Sequence, residues 1–90
     1  MTLSPNSDHV AADSLRDTLQ ELPIHVGEVY QHYKGGTYEI VALAVQEQTL
    51  EPCVVYKNMD TPLVWVRAWS NWNEEVEVEG KSVPRFTRIS

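Results

Sequence analysis

Between residues 65 and 72 the chain reads "WVRAWSNW", three tryptophans in eight positions with an arginine two places after the first. On a strand, residues two apart share a face, so Trp65 and Arg67 would point the same way. An indole offers a flat apolar surface with a polar tip, and a guanidinium forks onto a carboxylate or phosphate or stacks on a ring. The chemistry suggested is recognition of a ring-bearing or anionic group. Two further stretches carry similar residue types: "HYK" at 32–34, directly before a glycine pair, and "YK" at 56–57. The candidate ligand-binding set is therefore His32, Tyr33, Lys34, Tyr56, Lys57, Trp65, Arg67, Trp69 and Trp72. Each has a plainer reading. His32, Tyr33 and Lys34 suit the rim of a turn, and any one tryptophan suits the core; a core this small has little room for several indoles, so some should border a groove.

Catalytic chemistry has less to work with. A hydrolase needs a nucleophile with a base, and a metal site needs about three His, Cys or carboxylate ligands. The histidines are His9, His25 and His32, and none forms a ligand-spaced pair. "KGGT" lacks the length and the strand-to-helix context of a phosphate-cradling loop. The lone cysteine, Cys53, sits in the apolar run "PCVVY", which suits a small buried side chain better than a reactive thiol. The expectation is no enzyme activity, no metal and no cofactor.

Ninety residues make one domain, which buries roughly 60 to 65 per cent of the surface its unfolded chain exposes. At 42% hydrophobic and 22% charged the composition is that of a folding domain, not of a disordered chain. A net charge of −6 disfavours generic nucleic-acid binding, which draws its affinity from Lys and Arg on phosphates. Those charges are uneven, with only Arg16 before residue 31, so a local basic patch stays open. The first residues have neither a basic start nor an apolar run, so no signal peptide is expected. No segment has the apolar length to cross a bilayer, and a cytoplasmic protein is the expected setting.

The elements that would position these side chains follow from periodicity. Residues 1–6 read as frayed. From Ser7 or Asp8 to Leu22, with Ser4–Pro5 as an earlier start, Ala11, Leu15, Leu19 and Leu22 form a narrow helical stripe that Pro23 closes. The period then changes to that of strands, which divides the chain into a helical appendage (1–25) and a β body (26–90). "GEVYQHY", "TYEIVALAVQ", "CVVYKN", "LVWVRA" and "RFTRI" read as strands, with "EEVEVEG" as a short charged edge strand. Gly35–Gly36 suits a two-residue hairpin turn. In "YEIVALAV" both faces are apolar, which predicts a strand covered on both sides, by the helix or by a second copy of the chain. The architecture expected is mainly β, a small antiparallel barrel with the N-terminal helix packed outside.

Four segments in order, "HYKGGTYEIVALA", "TLEPCVVYKN", "WVRAWSNW" and "VEGKSVPRFTRI", resemble the domain-of-unknown-function family numbered 1653, a group of small bacterial domains, over about residues 27 to 90. The resemblance rests on Tyr30, His32, Tyr33, Lys34, Gly35, Tyr38 and Glu39, on Glu51, Val54, Val55, Tyr56 and Lys57, and on Trp65, Val66, Arg67, Arg85 and Phe86. It implies an SH3-like barrel and implies no activity. Gln46–Thr49 and Ala68 depart from the family pattern, which often has His-Ser-Glu-Thr and Pro there.

The function expected from these residues is binding of a peptide or an anionic small molecule in a Tyr/Trp-lined groove. Two alternatives stand beside it: a reader of single-stranded nucleic acid or of a modified nucleotide, and an interaction or oligomerisation module, a homodimer included, without a ligand pocket.

Overall fold

The computed structural model describes the backbone over residues 5–90 and the side chains from Asp13 onward. The expected Ser4 cap and the Ala11 side chain lie outside the described residues. Helix α1 spans Pro5–Gln20 and is followed by a turn through Pro23, whose ring cannot continue a helix. Its C-terminal part, with Arg16, Leu19 and Gln20, borders an open depression shared with Ile24, Val26 and Leu43.

Seven strands follow: β1 Val29–His32, β2 Thr37–Val45, β3 Pro52–Asn58, β4 Val64–Ala68, β5 Glu75–Val78, β6 Lys81–Pro84 and β7 Phe86–Arg88, with a one-turn helix α2 at Trp69–Trp72. All strand pairings are antiparallel. Five strands make one sheet in the order β4-β3-β2-β1-β7. Among the described residues hydrogen bonds do not close it, because β4 and β7 remain its two edges, so where a small barrel is expected the structure has a curled sheet left open. The reason is local. After β4 the chain turns through α2 and leaves the sheet to build the separate β5–β6 ribbon, and the returning β7 is only three residues long and pairs with β1. "EEVEVEG" is thus one arm of a ribbon, not a sheet edge; Val76 is half-buried while Glu75 and Glu77 are exposed.

The two-sided apolar pattern of β2 also reflects a bulge. Its register with β3 shifts between Ile40 and Ala42, so that Ile40 lies opposite Tyr56 and Leu43 opposite Val54. This bulge puts both Ile40 and Leu43 toward the core and re-aims the rest of the strand. Ile40 and Val54 are wholly buried, and Tyr30, Tyr56, Trp72, Phe86 and Ile24 complete the core. Ile24 belongs to the segment before the body, so the expected appendage contributes its last turn to the core. Cys53 is buried, with its Sγ directed at the Glu51 carbonyl oxygen.

The glycine pair does not make a two-residue turn. Gln31 pairs with Thr37, and the loop between them is held by Gly35 N–H to His32 C=O (2.8 Å) and His32 N–H to Gly36 C=O (3.0 Å). Both glycines have positive φ. At Gly36 there is a second requirement, since a Cβ would come within 3.2 Å of the Tyr38 ring.

Candidate functional site

Strand pairing decides which aromatic residues meet. Tyr56 lies opposite Trp65, Val54 opposite Arg67, His32 opposite Phe86 and Tyr30 opposite Tyr38. Alternation therefore puts His32, Tyr38, Tyr56, Trp65, Arg67 and Phe86 on one concave face, drawn from all five strands of the sheet. They line an open groove of about 270 Å³. That is below the usual size of a cofactor cleft and fits a single ring or one side chain.

The groove's floor is closely packed. Trp72 stacks flat on Phe86 with centroids 3.6 Å apart, and Tyr56 meets both edge-on. Trp65 is different: it stands 49% exposed at the rim, so its indole remains in water on one side.

Arg67 is the charged centre. Its Nε donates to the Tyr56 hydroxyl (3.2 Å), its Nη1 donates to the Asn71 side-chain oxygen, and its guanidinium carbon lies 5.4 Å from the Phe86 ring centre. All three partners are neutral. Among the described residues Arg16 pairs with Asp13, Lys57 with Glu39, Arg85 with Glu74 and Arg88 with Glu28, whereas no carboxylate lies within ion-pair distance of Arg67. Asn71 comes from α2, which is held from the other side where Arg85 Nε donates to the Asn71 carbonyl (3.1 Å).

The surrounding field is positive. His32 has its pKa lowered, first by burial and then by Arg67, Arg85 and Lys34, so it is neutral near pH 7. Its Nδ1 accepts the Lys34 backbone N–H (3.2 Å), which assigns the ring proton to Nε2.

Of the nine candidates, four come together: His32, Tyr56, Trp65 and Arg67. Trp72 is corrected from groove to core, since it is 3% exposed and sealed between Phe86, Tyr30 and Tyr56. Trp69 is also displaced: it packs against the core on another side, in a cleft with Pro23, Ile24 and Tyr30. Lys57 follows Tyr56 on the strand, so it points to the opposite face, where it pairs with Glu39. Tyr33 and Lys34 sit beyond His32. Tyr33 borders a second depression, with Val78, Val83 and Pro84, and Lys34 lies over the Tyr33 ring. The candidate list missed Tyr38, Phe86 and Asn71. The first two had a signal in their strand parity; Asn71 had none, because a four-residue helix has no periodicity to read.

The concave face holds a second polar cluster. Glu28, just before β1, is buried, and its carboxylate accepts the Tyr30 hydroxyl (2.9 Å) and the His25 N–H (3.0 Å) and pairs with Arg88 (3.3 Å). Burial alone would raise its pKa, but the His25 and Tyr30 hydrogen bonds and the Arg88 charge together hold it below the usual value. Tyr30, buried and bonded to that carboxylate, is pushed up to about 12.

With this geometry in view, the comparisons with known proteins are specific about kinship. The family described as "Protein of unknown function (DUF1653)" matches residues 28–88. The chain belongs to the DUF1653 family. It is also similar to a crystal structure of a DUF1653 protein from Bordetella bronchiseptica, with 32% identity and a TM-score of 0.66 over 79% of this chain and 91% of that one. No curated protein matches it. Every groove residue falls within the matched span.

Proposed function

We propose that this DUF1653 protein is a non-enzymatic binding domain whose groove takes the anionic, ring-bearing or apolar end of a peptide or small molecule. A carboxylate or phosphate of the ligand pairs with Arg67, and a flat or apolar part lies between Trp65 and Tyr38. The observation that supports this reading is a half-buried arginine held in place by neutral partners, without a counter-ion among the described residues, beside an exposed indole. Orientation without neutralisation leaves its charge available to a ligand, and a guanidinium already immobilised loses little entropy on binding. Groove size favours one ring or side chain over a run of nucleotides. A phosphate track would need several cations on one face, and Lys57 points away.

The same reading treats the open, curled sheet as an SH3-like barrel left unclosed, with α1 as an outer cover. The strand order β4-β3-β2-β1-β7 and the single helical turn before the last strands support the first part, and the position of Leu19 near Leu43 supports the second.

The test is an amide and indole correlation NMR spectrum of labelled protein, titrated with pools of peptides, carboxylate and phosphate metabolites and short oligonucleotides. The expected result is that one pool moves the Trp65 indole and the Arg67 Nε–H together while the Trp72 indole stays. If no pool moves Trp65 or Arg67 in the folded protein, the reading fails.

A further inference from the structure

The two edges of the sheet are built differently. β7 is three residues long and polar, with Thr87 and Arg88 exposed. β4 is five residues long and, among the described residues, hydrogen-bonded to β3 alone, and it carries no proline, glycine or lysine. Natural edges are normally protected by such residues, by bulges, by inward-pointing charges or by a covering element, and of these β4 has Arg67 on its concave side. On the convex side β4 shows Val64 and Val66, 52% and 66% exposed, opposite Lys57 and Val55 of β3 respectively. On the concave side it shows Trp65 and Arg67.

That order of residues is self-complementary. When two copies of β4 pair antiparallel about a two-fold axis through Val66, Val66 faces Val66 of the other copy on the convex side. On the concave side each Trp65 then faces the other copy's Arg67, and each Arg67 the other copy's Trp65. Directly opposed side chains in an antiparallel pair have Cβ atoms about 4.5–5.5 Å apart, so Val66 packs on its own copy and Val64 on Ala68, while Arg67 keeps Tyr56 and Asn71 of its own chain. A register shifted by one residue would put the valines of one copy against the arginine and tryptophan of the other, on opposite faces. We infer that β4 is the dimerisation edge of this protein and that its occupant is β4 of a second copy. The two five-stranded sheets become one continuous sheet, and the two grooves meet across the axis. The inference stands on the edge and its register, and does not require the groove to bind a ligand.

The test is molecular mass by light scattering and sedimentation across a wide concentration range, on the full chain and on Val66→Lys. Because Val66 is largely in water in the monomer, the lysine should leave the fold intact, which the NMR spectrum checks. The expected result is a monomer–dimer equilibrium in the parent that weakens roughly tenfold or more in Val66→Lys, where like charges face each other at the axis. A second pair of variants reads the register itself. Val66→Cys should oxidise to a disulfide-linked dimer, since opposed residues have Cα atoms about 4.5–5.5 Å apart, within bridging range. Val64→Cys should not, because it faces Ala68. A parent that stays monomeric throughout, a dimer indifferent to Val66→Lys, or equal cross-linking of the two cysteine variants would overturn the inference.

Discussion

Glu28 and Arg67 are charges of opposite sign drawn partly out of water at the two ends of the β1–β7 pair, one beside Arg88 and the other over Phe86. Their environments differ in one respect. Glu28 has a full set of donors and a cation, so its charge is spent inside the protein. Arg67 has acceptors and a ring but no anion among the described residues. Both are oriented, yet only Arg67 retains charge for something outside the chain. The difference teaches how a structural charge can be told from a recognition charge: the first is neutralised where it stands, the second is only held.

The largest expected effect would break the structural side of this contrast. Glu28→Gln removes a charged acceptor that ties the start of β1 to the end of β7, and it should lower stability by about 1–3 kcal/mol in denaturant unfolding at pH 7. Groove binding should be unchanged in the folded fraction. If stability is unaffected, Glu28 is not the clasp described here.

Arg67→Gln sharpens the other side. It should weaken binding of the anionic ligand found by NMR by about ten- to a hundredfold, or roughly 1.4–2.8 kcal/mol, measured by calorimetry. Its cost to stability should stay under about 1 kcal/mol, because the charge it removes is not paired inside the chain. Arg67→Lys should recover part of the affinity but not the bidentate share. A loss of stability equal to the loss of affinity would make Arg67 a structural residue like Glu28.

The smallest effects come from pH. The folded pKa of His32 lies below its unfolded value of about 6.5, so the unfolded chain takes up the proton first and stability falls as pH drops through that value. Glu28 has the same sign at lower pH: its folded pKa is also lowered, and its contribution is lost as pH falls below the unfolded carboxylate range. Anion affinity should move the opposite way, rising as pH falls through the lowered pKa of His32, where the ring becomes cationic beside Arg67. Unfolding and titration series at pH 7.5 and 5.5, with His32→Gln as control, read both slopes. The control should flatten the step near 6.5, and a step that survives it belongs to another group.

Much of the frame was legible because it depends on local pattern. The five sheet strands lie within a residue or two of where their composition puts them, and the parity of Trp65 and Arg67 on β4 is as the spacing predicts. What escaped depended on contacts far along the chain. The bulge after Ile40 changes which of two apolar residues faces inward, and nothing in "EIVALAV" marks it, since both parities are apolar. Residues 81–84, with a proline at their end, do not read as a strand; Lys81–Pro84 becomes β6 because β5 lies beside it. The three tryptophans are chemically alike in sequence. Trp72 enters the core only because α2 turns the chain inward and Phe86 arrives from β7 to stack on it.

The sequence by itself determined the family, the mainly β character, the burial of Cys53 and the clustering of aromatic and basic residue types, because these follow from composition, period and order of residues. Only the tertiary structure decided which of those residues share a groove, which tryptophan stays in water and which arginine has no counter-ion among the described residues. Those properties arise from strands distant in sequence that become neighbours, as Tyr56 and Arg67 do, and a side chain's charge and exposure are set by such neighbours rather than by its place in the chain.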